Sequence, residues 1–244
     1  MLILAADTSG KHGSIALVQC EHDPLSTLEL VPLQGGTFSA ELVPQIAELL
    51  SRHNLSKSDI DAFAVASGPG SFTGLRVGLA AIKALAEILQ KPIAAVSLLE
   101  VIAFDLNCDS HFLQDRRESG HPAKSGNRVL VALDAGRSEA YIGEYEFVGA
   151  LPICISESLL TFDELAERAS QSPVYTPDED VITALASRGA GSQVFRVPRP
   201  DAVSVARLGH PKILAGQTVS PEELDASYIR RADAEFKKPV RNPA

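Results

Sequence analysis

The feature that most limits how this chain can fold is a repeat. Residues 2–18, LILAADTSGKHGSIALV, and residues 129–145, VLVALDAGRSEAYIGEY, can be laid over one another without a gap. Each opens as an apolar run suited to a buried strand and ends that run in an aspartate, Asp7 or Asp134. Each then turns through small residues and continues as a second, alternating strand. Two such hairpins, far apart in one chain, predict two related lobes.

The first copy is followed by a consistent order of elements. A third strand is read at 29–33 and a helix at 39–53, with Glu41, Gln45, Glu48 and Arg52 on one polar stripe and Pro44 bending its early turns. A strand at 62–66, a glycine-rich turn, a long helix at 72–90, a strand at 93–96 and a helix at 98–106 complete the unit. Strand, strand, strand, helix, strand, helix, strand, helix suits a mixed sheet with helices packed on it. The fold class expected is therefore α/β, two-lobed, as in the actin, sugar-kinase and Hsp70 class.

Four segments are expected. They are an N-terminal lobe at 1–106, a polar linker or loop at 107–127, an abbreviated second lobe at 128–200, and a returning helix with a C-terminal tail at 201–244. In the second lobe a short helix is read at 162–169. Residues 181–186 read as helix or strand, and 194–197 as a strand. A helix at 201–214 is interrupted by Gly209 and Pro211, and the tail beyond Pro221 is expected to be exposed.

Composition narrows the functions open to such a chain. Its 244 residues are 45% apolar and 22% charged, enough for a sizeable core, and without Trp that core is mainly aliphatic. The net charge is −9, and the Arg116-Arg117 pair is flanked by Asp115 and Glu118. A protein that grips nucleic acid alone shows a basic face, so any contact with RNA is expected to be indirect. Cys20, Cys108 and Cys154 form neither a CxxC pair nor a disulfide framework. The six histidines form no HxxxH or HExxH pair, so no metal site is expected. No signal peptide or membrane-length apolar run is read, and a cytoplasmic location is expected.

Two places carry candidate sites. The first joins Asp7, Thr8 and Ser9 to the turn containing Gly68, Gly70 and Ser71, a candidate nucleotide or anion loop. Backbone N–H groups ahead of a helix can cradle an anion. The spacing G-x-G-x-x-x-G fits neither the dinucleotide fingerprint nor a P-loop, and the competing reading is a tight turn with Ser71 as helix N-cap. Pro69 stands where a nucleophile elbow would need Gly, which argues against Ser71 as a nucleophile. Asp7 is open to two readings: a metal-orienting acid, or a residue capping its own turn. Asp134 reads as a turn former.

The second candidate site is the helix at 72–90. Arg76, Lys83, Glu87 and Gln90 form a polar stripe, with Lys83 and Glu87 at ion-pair spacing. Leu75, Leu79, Ile82, Leu85, Ala86 and Leu89 form one apolar face, while Val77, Ala81, Ala84 and Ile88 lie off it. A helix lying on a sheet needs only one such face. Val77, Ala81, Ala84 and Ile88, with Leu42 and Ile46 of the preceding helix, are therefore a candidate partner interface. The alternative is that the two helices cover each other.

SGPGSFTGLRVG at 67–78 resembles the signature of the TsaB (YeaZ) family, the dimerisation subunit of the bacterial tRNA threonylcarbamoyladenosine biosynthesis complex. ILAADTS with GSIALV, FSAELVPQIAELL, PIAAVSLLEVIA, VLVALDAGRSEAYIGEYEF and LDASYIR resemble further segments of that family. Phe38 stands where many relatives carry His. The resemblance implies an actin-like (ASKHA, RNase H-like) two-lobed fold with mixed sheets flanked by helices and a degenerate second lobe.

It also implies a non-catalytic scaffold that binds a related threonylcarbamoyl transferase (TsaD-like) through the first two helices. A small ATPase subunit (TsaE-like) would join them. Apart from the resemblance, the chain alone is expected to form a homodimer through the same helices, because an unpaired apolar face favours self-association. No cofactor is expected on this chain alone, and ATP or ADP is expected only at the complex interface. The alternatives are a stand-alone actin-like ATPase or kinase and, third, a glycoprotease-like metallopeptidase.

Overall fold

The computed structural model describes residues 1–20, 25–108, 128–148 and 151–229. The first lobe runs β1 (Leu2–Asp7), β2 (His12–Gln19), β3 (Ser26–Gln34), α1 (Phe38–Arg52), β4 (Ala62–Gly68), α2 (Phe72–Leu89), β5 (Ile93–Ser97) and α3 (Leu98–Cys108). The second runs β6 (Arg128–Gly136), β7 (Glu139–Val148), β8 (Leu151–Thr161), α4 (Phe162–Ala169), β9 (Val174–Thr176), α5 (Glu179–Ser187), β10 (Val194–Arg196) and α6 (Ala202–Leu214).

The repeat read from the sequence is a repeat of topology. The first sheet has the order β3-β2-β1-β4-β5 and the second β8-β7-β6-β9-β10. In both, the opening strand is central, with an antiparallel meander on one side and two parallel strands on the other. The second lobe is abbreviated in length, not in plan. Its strands β9 and β10 have three residues each, and α4 and α5 have eight and nine. The fold is the actin-like, two-lobed α/β arrangement.

Strand β1 is buried along its whole length because both faces of its sheet are covered. Leu2, Leu4 and Ala6 point to α1 and α2, while Ile3 and Ala5 point to a layer made by α3 and α6. The second sheet alternates likewise. Leu130 and Ala132 face α4 and α5, while Val129, Val131 and Leu133 join the same middle layer. One continuous core thus passes from the first sheet through α3 and α6 into the second.

Several expectations change in the structure. Helix α3 extends to Cys108, beyond its expected end at 106. The rest of the predicted linker, 109–127, lies outside the described residues. Residues 181–186 are helical, within α5. Strands β8 and β9 have no counterpart in the sequence reading. The segment after α6 is also not simply exposed. Val219 bridges to Ile93, Leu224 is buried under the first lobe, and the Ser227 N–H donates to the Ser67 carbonyl at 2.8 Å.

Helix α6 shows why Gly209 does not break it. The helix begins at Asp201, whose side chain accepts from the Val203 and Ser204 N–H groups, and then crosses the first sheet. A Cβ on Gly209 would lie 2.7 Å from the Ala64 Cβ. Helix propensity alone predicts that Gly209→Ala stabilises by roughly 1 kcal/mol. The contact reverses the sign, and we expect Gly209→Ala to destabilise by about 1–2 kcal/mol in chemical denaturation. The loss should shrink when Ala64→Gly is present, and additive losses would show that Ala64 is not the obstruction.

Candidate functional site

The turn after β1 and the glycine loop after β4 meet edge to edge. Thr8 is buried and its Oγ1 donates to the Gly74 carbonyl at 2.8 Å. The Ser71 N–H donates to the Ser9 carbonyl at 2.6 Å. A Cβ on Gly70 would lie 2.4 Å from the Ser9 carbonyl oxygen, one on Gly74 2.1 Å from that of Thr8, and one on Gly78 2.2 Å from Thr8 Oγ1. These glycines permit close approach of two backbones. Ser71 caps α2, its Oγ accepting from the Gly74 N–H at 3.3 Å. Gly68 has φ of +135° and leads into a cis peptide with Pro69.

Asp7 ends β1 as a buried side chain, and its Oδ1 accepts from the Ser9 N–H at 2.9 Å. This is the turn-capping geometry. Asp134 repeats it, accepting from the Gly136 N–H at 3.0 Å. Burial pushes the Asp7 carboxyl above its usual range, while hydrogen bonds from Ser9 and the charge of Arg199 pull the other way.

A cleft of about 1240 Å³ separates the lobes at this point. Ser9, Gly70 and Ser71 line it, whereas Asp7, Thr8 and Gly68 sit behind its wall. The facing wall carries Asp134, Arg137, Asp178, Glu179, Asp180 and Arg199. Asp178 accepts from the Asp134 N–H at 2.8 Å and pairs with Arg199. In the second lobe, the strand-to-helix turn that corresponds to Gly68–Ser71 is therefore acidic, a feature that the run PDED at 177–180 carried in the sequence. Among the described residues, no group of three or more His, Cys, Asp or Glu is arranged to hold a metal ion.

Helices α1 and α2 lie side by side on the outer face of the first sheet. Leu42 and Ile46 are 1% and 3% exposed and belong to the core, which corrects their assignment to a partner face. They share the sheet-facing side of α1 with Phe38, Leu49 and Leu50. The open side of α1 carries Ala40, Val43, Pro44 and Ala47 instead. On α2, Val77 and Ala81 are half-buried, while Ala84 and Ile88 are exposed. Exposure reaches 55% at Val43 and 76% at Ile88. The helices therefore cover each other's flanks and leave a shared apolar face. Lys83 does not pair with Glu87; its Nζ donates to the Glu222 carbonyl at 3.4 Å.

At the start of α2 the structure assembles a cluster that no local pattern announced. The Arg76 guanidinium lies over the Phe72 ring at 3.7 Å, and its Nε donates to the Tyr228 hydroxyl at 3.0 Å. The Phe72 and Tyr228 ring centroids are 5.1 Å apart.

The weakened acidity of Asp7 has a sign that can be checked. The unfolded carboxyl ionises first, near pH 4, and between that pH and the folded value stability falls as pH rises. Asn keeps an acceptor for the Ser9 N–H and carries no charge. We expect Asp7→Asn to raise the melting temperature at pH 7.5, with the gain shrinking as the pH is lowered to 4. A lower melting temperature at pH 7.5 would show that the buried charge is compensated.

Comparison with known proteins agrees with this architecture. A family model described as TsaD, tRNA N6-adenosine threonylcarbamoyltransferase, matches residues 34–224. The tRNA threonylcarbamoyladenosine biosynthesis protein TsaB of Bacillus subtilis is 28% identical, with 97% of each chain covered. The Escherichia coli protein of the same name is 33% identical over 60% of this chain and 55% of its own length. The solved structure of YeaZ from Pseudomonas aeruginosa superposes with a TM-score of 0.67 at 25% identity, covering 93% of this chain and all of that one. With the family model spanning well over half of it, the chain belongs to the family of the tRNA N6-adenosine threonylcarbamoyltransferase TsaD, and within that family to the TsaB (YeaZ) proteins.

Proposed function

We propose that this chain is a non-catalytic scaffold subunit in tRNA threonylcarbamoyladenosine biosynthesis, and that it dimerises with and activates a related threonylcarbamoyl transferase. The pathway is the one named by its TsaB relatives. The observation that carries the scaffold role is the apolar face shared by α1 and α2. Val43 and Ile88 stand well out of it, and the small exposed residues Ala47 on α1 and Ala80 and Ala84 on α2 allow another helix to approach closely. Covering a side chain such as Ile88 is worth roughly 2 kcal/mol. A pair of helices laid on this face therefore gains several kcal/mol from a few side chains.

The same face explains the rest of the proposed assembly. A transferase of the same fold would present its own first two helices, forming a four-helix contact. In the absence of that partner, a second copy of this chain would cover the face, which makes the free protein a homodimer. A small ATPase subunit would join the heterodimer. RNA would be held mainly by the partners, in keeping with a net charge of −9. Among the described residues no helix is long and apolar enough to cross a membrane.

A second reading, a stand-alone ATPase, draws on the interlobe cleft. The second-lobe turn before α5 carries Asp178, Glu179 and Asp180 in place of glycines, with Asp178 paired to Arg199, so that turn offers no glycine cradle for a triphosphate.

Size-exclusion chromatography with light scattering tests the proposal on this chain, alone and mixed with the cognate transferase subunit. We expect a stable heterodimer. Ala84→Arg and Ile88→Asp should each weaken it at least tenfold and should shift the free chain toward monomer, with the fold intact by circular dichroism. A wild-type chain that forms no complex, or that alone releases phosphate from ATP at an enzymatic rate, would sink the scaffold reading.

A further inference from the structure

The exposed row of α2 ends in a charged group that is held by two aromatic neighbours and, among the described residues, has no carboxylate paired with it. Phe72, Arg76, Ala80, Ala84 and Ile88 are spaced four apart, so they form one ridge along the helix, and all five are exposed. A partner helix that follows this inclined row across Ala80 and Ala84 reaches Ile88 at one end and Arg76 at the other. Twelve residues of helix separate those two, about 18 Å.

Arg76 is prepared for what it meets. Its guanidinium is stacked on Phe72, and its Nε is spent on the Tyr228 hydroxyl. Tyr228 is itself delivered from far along the chain by the segment that returns from α6. It is fixed there by ring contact with Phe72 and by the Ser227–Ser67 backbone hydrogen bond. Immobilising a free arginine costs rotamer entropy on binding, and here that cost is met before the partner arrives. The two terminal nitrogens keep four N–H donors in a planar fork, and among the described residues no carboxylate lies within ion-pair distance of them. That is unusual in a chain with nine more acidic than basic side chains.

We propose that Arg76, clamped between Phe72 and Tyr228, is a preformed receptor for a carboxylate on the partner protein. The carboxylate would lie on the helix that covers the α1–α2 face, about three turns from the residue that covers Ile88. This rests on the docking role proposed above and adds to it the chemistry that selects the partner and sets its direction along α2. A helix laid on the ridge in the opposite sense puts its acid over Ile88 and leaves Arg76 unanswered. A protein carboxylate fits better than an RNA phosphate because Arg76 is continuous with an apolar ridge and the chain as a whole is acidic.

The test measures affinity for the purified cognate transferase subunit by calorimetry at low and high salt. The variants are Arg76→Met, which keeps the stem on Phe72, Arg76→Lys, which keeps the charge without the fork, and Tyr228→Phe, which releases Nε. We expect Arg76→Met to weaken the heterodimer at least tenfold and to flatten its salt dependence. Arg76→Lys should fall between it and wild type, and Tyr228→Phe should lose a few-fold. The melting temperature of Arg76→Met should stay within about 3 °C of wild type.

If Ile88→Asp breaks the complex while Arg76→Met binds within twofold of wild type and with the same salt dependence, the carboxylate receptor is wrong and the docking face stands. If Arg76→Met leaves the heterodimer unchanged but weakens tRNA binding by the assembled complex, the receptor serves phosphate and the proposal is overturned. If the wild-type chain forms no complex, the docking reading fails and takes this inference with it.

Discussion

The placement of α2 depends on how closely the first turn of the chain can approach it. The Ser9 and Thr8 carbonyls leave no room for a side chain on Gly70 or Gly74, and the Thr8 side chain leaves none on Gly78. Two hydrogen bonds, Thr8 to Gly74 and Ser71 to Ser9, close the same seam. The close approach fixes which side of α2 faces the sheet, and Ala84 and Ile88 lie on the side left exposed. Of the two readings the loop allowed, an anion cradle or a tight turn capped by Ser71, the close approach of Gly70 and Gly74 to the Ser9 and Thr8 carbonyls supports the turn.

The lobes share a plan but not a finish. The first has long parallel strands and helices with polar stripes, and a sheet covered on both faces. The second keeps the strand order and a long meander, but its two parallel strands β9 and β10 are cut to three residues each. Between them, α3 and α6 form a common layer that belongs to both sheets, so the two halves are joined by core packing as well as by chain connections. Lys212 of α6 meets Glu100 of α3 at 2.7 Å within that layer. An account of this molecule as two independent domains would cut through its largest body of buried side chains.

Much of this was legible in the sequence for local reasons. The two hairpins announce themselves by alternation and by the aspartates that end their first strands. Ser71 was legible as a cap because capping depends on residues three apart. The phase of α1 was not, because a helix that is apolar beyond one stripe does not state which side meets the sheet. Leu42 and Ile46 were assigned outward when tertiary packing had claimed them. Strand β8 was missed because it is an edge strand with Leu151, Ile153 and Ile155 half in solvent next to Ser156, Glu157 and Ser158. Strand β9, at three residues, is too short to show any period. The Arg76–Tyr228 contact joins residues 152 apart, and no window along the chain can see it.

Helix α6 has a consequence for the order in which the molecule can be made. It lies on the first sheet, against β1, β2, β4 and β5, yet it follows the whole second sheet in the chain. While a ribosome is still adding residues of the second lobe, Ile3, Ala5, Ala62 and Ala64 have no α6 to lie under. The lobe that is synthesised first is therefore finished last, and a chain stopped before residue 202 presents an unroofed aliphatic sheet to whatever surrounds it.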